Sequence, residues 1–352
     1  MDKKIMDSML EDINNFSKID AGEFLGFGDL DILPERFSAE NFHPISASKD
    51  RGSKIVFIDG GNSELFSSPG MCAGFVRIFH TIYEKNKRIS CAADEFYVLC
   101  HAKKKDGRIF YHAKLYKEHV NVLGDGFFDI DFTFDSLDKD LIEANSRASI
   151  SKIPSLVRRI AELHVASDVL SGLSKGDIVV LDGDMESRTS QESSAVGCLK
   201  SSARSRGITV CALSKTSNLL ASSGSSAVAV LNKFAPAGAW YYHPAALIDG
   251  LHVCFAKLHP KSSYVFKCEA FSHVDTEVLD DLFSLLTENS SDPVFIGYPY
   301  GLVEADMLAR VSNKEQDFLK CSFMALSGKD KSIIESLCKA TDAHSVLDRM
   351  KY

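Results

Sequence analysis

No stretch of the 352 residues approaches the roughly 20 continuous apolar residues that a bilayer-spanning helix needs, so no membrane partner is expected. The charged amino-terminal stretch "MDKKIMDSMLEDINNF" lacks the apolar segment of a secretory signal, and a cytoplasmic location is expected. No C-x-x-C pair occurs. The nine cysteines are odd in number and scattered, which argues against a disulfide framework and against a cysteine-based zinc site. They read as reduced, mostly buried thiols. Positive charge is also scarce: 40 Lys and Arg stand against 48 Asp and Glu, for a net charge of −8. A protein that coats nucleic acid by neutralising phosphates is disfavoured by this balance. An acidic catalytic centre served by a local basic groove is not.

What is present is an ordered series of elements. Residues 2 to 18 place Ile5, Met9, Ile13 and Phe16 at helical spacing, predicting an amphipathic helix. The apolar strand "KIVFIDGG" follows a glycine-rich stretch, and β-branched segments at about 73 to 85, 90 to 101 and 108 to 115 predict an antiparallel meander. "HAKKKDGRIFYH" reads as a hairpin turning at Asp106-Gly107, with Lys103, Lys104 and Lys105 as a solvated tip. The acidic, aromatic segment 120 to 150 takes no assignment. Residues 154 to 173 are helical in pattern, and "DIVVLDGD" is a second strand. Ser-rich sequence then runs to residue 226, broken by the strand "ITVCAL". Residues 226 to 270 are β-rich, and "AWYYHP" there could stack bases or pack inside. A helix over about 275 to 288, a strand "PVFIGYP", a helix starting near Leu302 and a last helix over roughly 330 to 349 complete the chain. There are no repeats and no clear linker, so a single α/β domain over 1–352 is expected. It divides into an amino-terminal helix (1–20), a core (54–310) and a helical extension (311–352). Strand, antiparallel strands, helix, strand is the order of a ribonuclease-H-like mixed sheet with flanking helices and β-rich insertions.

Three carboxylates sit where carboxylates are costly. Asp59 and Asp182 each end an apolar run and precede glycine, and strand carboxyl ends are where open α/β sheets hold ligands. Asp-Gly is equally ordinary turn chemistry. Glu162 falls on the side of Ala166, Val169 and Leu173 on a helical wheel, so it projects near the apolar face and needs a partner. Arg158 and Arg159, four and three positions earlier, offer an ion pair. A divalent ion shared with Asp59 and Asp182 is the alternative, since Mg²⁺ and Mn²⁺ prefer carboxylate oxygens and two such ions support phosphodiester cleavage. Asp184 and Glu186 add nearby carboxylates that read equally well as a solvated turn.

The series "IDGG", "RRIAEL", "VVLDGD", "LSKTS" and "YPYGLVEAD" resembles the NurA nuclease family in order and approximate spacing, over roughly 54 to 310. The resemblance implies a ribonuclease-H-like fold and a homodimer that works with the hexameric HerA ATPase in double-strand break end resection. The implied activity is a 5′-3′ exonuclease, with single-strand endonuclease activity as an accompaniment, on single- and double-stranded DNA ends. It implies that Asp59, Glu162 and Asp182 bind the catalytic ions, Mn²⁺ or Mg²⁺, with Lys215 facing phosphate and Tyr298 lining the site. Arg159, Lys215 and Tyr298 become DNA contacts. Three departures stand out. Asp59-Gly60-Gly61 replaces Asp-Gly-Ser, and Asp182-Gly183-Asp184-Met185 replaces Asp-Gly-Ser-Leu. Asp306 stands where the family has histidine, so it is expected as a further metal ligand but not as a cationic acid. Two other readings compete. "VVLDGDMES" also fits an aspartyl-phosphate phosphatase with Asp182 as nucleophile. A non-catalytic platform for DNA and the ATPase would follow if the site had drifted.

Overall fold

The computed structural model describes residues 3–16, 24–27, 32–46, 52–142, 147–330, 332 and 334. The chain forms two compact units. One comprises Met1–Arg51, Gly183–Glu186 and Thr209–Tyr300; the other comprises Gly52–Asp182, Ser187–Ile208 and Gly301–Tyr352.

The second unit is built on long strands: β1 (Lys54–Ser68), β2 (Met71–Glu84), β3 (Lys87–Lys105), β4 (Arg108–His119), β5 (Phe132–Asp135) and β6 (Ile178–Asp182). Two-residue loops set the meander. Lys85-Asn86 and Asp106-Gly107 all take positive φ, the mirror-image turn geometry whose twist matches antiparallel strands. The hairpin tip carries exposed Lys103, Lys104 and Lys105, as expected. In the order β6-β1-β2-β3-β4-β5 every neighbouring pair is antiparallel except β6, which runs parallel to β1. A parallel neighbour needs a crossover, and helix α1 (Ile153–Val169) supplies it, with Pro154 in its first turn and Val157, Ile160, Ala161 and Val165 buried. Five antiparallel strands, a helix, then a strand parallel to the first make a mixed sheet with flanking helices, as expected.

Further helices flank this sheet. The Ser-rich stretch, to which the sequence assigns only a strand, contains α2 (Ser190–Arg206). Thr189 accepts the Glu192 amide, the Glu192 carboxylate accepts the Arg188 amide, and Gly207 closes the helix at φ +66. Helices α3 (Tyr300–Ala309) and α4 (Asn313–Leu326) follow, the latter capped by Ser312. The helix expected over 330 to 349 lies almost wholly outside the described residues.

Every described strand pairing within the first unit is antiparallel, with Trp240–Ile248, Leu251–Lys257, Phe266–Phe271 and Thr209–Ser214 as successive neighbours. Trp240, Tyr241 and Tyr242 are all buried, with Tyr241 stacked on Phe283 and donating to Asp280, so "AWYYH" packs inside. The expected strand "PVFIGYP" is instead a chain of turns. Val294 is 69% exposed, and Gly297 takes φ +94 with Ser262 against it, a conformation that breaks a strand. The helix Lys3–Phe16 forms as expected, with Ile5, Met9 and Ile13 exposed. Among the described residues no helix is long and apolar enough to cross a membrane. Of the eight cysteines described, five are buried.

Candidate metal centre

Asp59 is not at a strand end. β1 continues nine residues beyond it to Ser68, paired with β2 throughout, whereas its parallel pairing with β6 runs only from Ile55↔Ile178 to Ile58↔Leu181. Asp59 therefore stands where β1 loses its parallel neighbour, and the same register carries Asp182, the last residue of β6, to that point. The Asp59-Gly60 pair is consequently no turn. Its glycines serve the packing of helices on both faces of the sheet.

Alternation along a strand sends Phe57, Asp59 and Gly61 to one face and Ile58 and Gly60 to the other. A Cβ on Gly60 would collide with Glu162 and Ile78, so α1 lies against that face. A Cβ on Gly61 would strike the Ala309 carbonyl, and one on Gly301 would strike the Phe57 ring, so α3 covers the opposite face. Serine is barred from position 61 by the same contact. α3 brings Asp306 to the Asp59 face. One carboxylate oxygen from each of Asp59, Asp182 and Asp306 lies within 4.8 Å of the other two, and all three residues are half-buried. Asp59 Oδ1 accepts its neighbour's Gly60 amide at 2.7 Å, and Asp306 accepts from Arg310 at 2.6 Å.

Such a donor set suits a hard cation. It is all oxygen, carries up to three negative charges and includes no thiolate or imidazole, the composition that favours Mg²⁺ or Mn²⁺ over softer metals. Among the described residues this is the one cluster with that geometry.

Glu162 is placed differently. It is 2% exposed, ion-paired with Arg158, and accepts from Arg159 at 3.2 Å. Arg158 also donates to the Gly60 carbonyl at 2.9 Å, which ties the pair to β1 from the α1 side. The internal ion pair foreseen from the i, i+3 and i+4 spacing is thus formed, and Glu162 is not a member of the three-carboxylate cluster.

Lys215 and Tyr298 belong to the first unit. Lys215 follows the strand Thr209–Ser214, is exposed, and holds its ammonium 5.6 Å from the Tyr298 ring centroid. That ring is 1% exposed and packs on Phe266 and Phe295. Asp184 and Glu186 are not a plain solvated turn. Lys267, 8% exposed, donates to Glu269 at 2.7 Å and lies 3.6 Å from Glu186. Glu269 also accepts the Met185 amide at 2.7 Å. Burial works to lower the Lys267 ammonium, but Glu269, then Glu186 and Asp184, outweigh it and hold the pKa above its ordinary value. This buried pair escaped the sequence reading. Its signal was Lys and Glu at period two within the otherwise apolar "FKCEAF".

No protein-family model and no curated protein matches the chain. Solved structures give partial matches. Endonuclease V of Ciona intestinalis, bound to a 24mer DNA containing an inosine followed by a ribo-adenosine, is 11% identical over 77% of this chain and 89% of that one, with a TM-score of 0.36. The catalytic domain of human endonuclease V gives 11%, 80%, 92% and 0.36. Argonaute of Aquifex aeolicus gives 14% identity over 73% of this chain and 28% of its own, with a TM-score of 0.32. At this level of superposition, the chemistry of the centre has to come from its own residues.

Proposed function

We propose that this protein is a divalent-metal-dependent nuclease that hydrolyses DNA phosphodiesters. The observation that carries the reading is the convergence of Asp59, Asp182 and Asp306, from two strands and a helix, to within 4.8 Å. Asp59, Asp182 and Asp306 would hold the ion, Mn²⁺ or Mg²⁺. When bound, it supplies Lewis-acid polarisation of a phosphoryl oxygen and offsets charge on the leaving oxygen. The chain's own contribution is preorganisation: two ligands stand on hydrogen-bonded strands, and the third on a helix packed against one of them.

The motif order supports the finer reading of a NurA-type enzyme, a homodimer acting on DNA ends with a HerA-type ATPase in end resection. In that reading Lys215 and Arg159 contact DNA phosphates, and buried Tyr298 holds the Lys215 ammonium over its ring. Glu162 joins the ligand set only if a cation draws it from Arg158. Unchanged Mn²⁺ affinity in Glu162→Gln would leave it a structural ion pair.

End-labelled linear DNA incubated with Mn²⁺ tests the activity. Wild type should degrade it, and Asp59→Ala and Asp306→Ala should each be slower by about 10²-fold or more, the scale expected when a charge-stabilising group is lost. Equal rates in wild type and Asp59→Ala would overturn the site. Co-elution of the chain with a HerA-type hexamer, absent from the isolated partners, tests the finer reading.

A further inference from the structure

Asp306 owes its place to α3, and four of the contacts between α3 and the sheet bear on its position. Three are apolar or backbone: Gly301 on the Phe57 ring, Ala305 and Ala309 on Phe79, and the Ala309 carbonyl above Gly61. Contacts of that kind set how close the helix lies, but alanine and glycine surfaces tolerate rotation and sliding. The fourth contact is directional. Glu304, two residues before Asp306, has a side chain only 11% exposed. Its Oε2 accepts from the Thr81 hydroxyl at 2.9 Å and from the Tyr83 hydroxyl at 3.1 Å, and its Oε1 pairs with Arg88. Thr81 and Tyr83 are 0% and 5% exposed and stand on β2, the neighbour of β1.

We propose that Glu304 is a positioning residue: its hydrogen bonds from Thr81 and Tyr83 fix the rotation of α3 and thereby place the Asp306 carboxylate against those of Asp59 and Asp182. The proposal rests on reading the three aspartates as a cation site. At the 5–6 Å side-chain radius of a helix, a rotation of about 20° moves a carboxylate by about 2 Å. Productive sites hold their groups to about 0.5 Å. Without its polar anchor the helix could therefore remain docked and still misplace Asp306.

Glu304→Ala and Glu304→Gln separate positioning from charge. Glutamine keeps an acceptor for Thr81 and Tyr83 and gives up only the Arg88 ion pair, whose arginine is half-exposed and free to turn to water. Two readouts are needed: Mn²⁺ affinity by calorimetric titration, and crystal structures of the metal-free variants. Glu304→Ala should lose about tenfold or more in Mn²⁺ affinity, the usual cost of removing a group that orients a ligand. Its metal-free structure should show Asp306 displaced from Asp59 and Asp182. Glu304→Gln should retain the metal-free geometry and an affinity near wild type. An undisplaced Asp306 in Glu304→Ala, or equal losses in both variants without displacement, would overturn the proposal. If wild type takes up no Mn²⁺, the cation-site reading fails, while the metal-free structures still decide whether Glu304 places Asp306. Should Glu304→Ala not fold, Thr81→Val with Tyr83→Phe removes the same two hydrogen bonds from the strand side and should give the same displacement.

Discussion

Three carboxylates held within 4.8 Å of one another repel when all are ionised, a cost that a bound cation would relieve. Two unit charges about 4 Å apart cost about 1 kcal/mol in water and about 4 kcal/mol at an effective dielectric of 20. Asp59→Asn keeps the shape and the acceptor for the Gly60 amide but removes one charge. Its metal-free thermal midpoint should rise by about 1–2 °C, the shift expected for about 1 kcal/mol in a chain of 352 residues. Wild type should gain stability with added Mn²⁺ and the variant should gain less. Calorimetric melts with and without Mn²⁺ check both. At this scale the sequence was informative for a physical reason: aspartate after four apolar residues is expensive, and both Asp59 and Asp182 proved to stand at one place. Asp306 and Glu304 carried no such signal. Their helix is apolar on several sides, and what distinguishes the two residues is which strand lies beneath them. Asp306 was reached only through the family resemblance.

Among elements, turns and period-two runs were legible, and helices with weak amphipathicity were not. Asp106-Gly107 announced its hairpin because both positions need positive φ. The serines of α2 concealed a helix whose ends were nonetheless written, as Thr189-x-x-Glu192 and Gly207. "PVFIGYP" has strand composition, yet Gly297 turns left-handed and Val294 and Ile296 face solvent. The docking of α4 includes a polar part that titrates. Arg77 on β2 donates to Glu315 at 2.5 Å and to Glu95 on β3 at 2.5 Å. The hydrogen bond from Arg77 holds the Glu315 carboxyl below its ordinary value of 4.5. A depressed carboxylate stabilises fully above its unfolded pKa and loses that contribution as pH falls through the folded one. Urea midpoints of wild type should therefore drop below about pH 4.5 more steeply than those of Glu315→Gln, the two curves converging in acid. Because Glu315 is a third exposed, the difference should also shrink in high salt.

For the whole molecule, the net charge of −8 limits how DNA can be held. A broad basic surface would release many counterions, whereas the two phosphate contacts proposed above, Lys215 and Arg159, predict a slope of log K against log salt of about −2. Lys215→Ala should reduce that slope by about 1 and weaken binding evenly across sequences. Fluorescence anisotropy with a short duplex between low and moderate salt measures it, and a slope several times steeper would mean that further cations take part. The division into two units was not legible in the sequence. The first unit is assembled from three separate stretches, and no change of composition marks where the chain passes from one unit to the other.

The interior position of Asp59 also bears on how this protein can diverge. Because β1 runs unbroken from Lys54 to Ser68, inserting or deleting one residue between Lys54 and Asp59 would exchange its two faces. The carboxylate would then turn toward α1, and a side chain other than glycine would meet α1 or the backbone of α3. Loops elsewhere can lengthen and shorten. The count of residues before Asp59 cannot change by one, so homologous chains should vary here by substitution and show no gap.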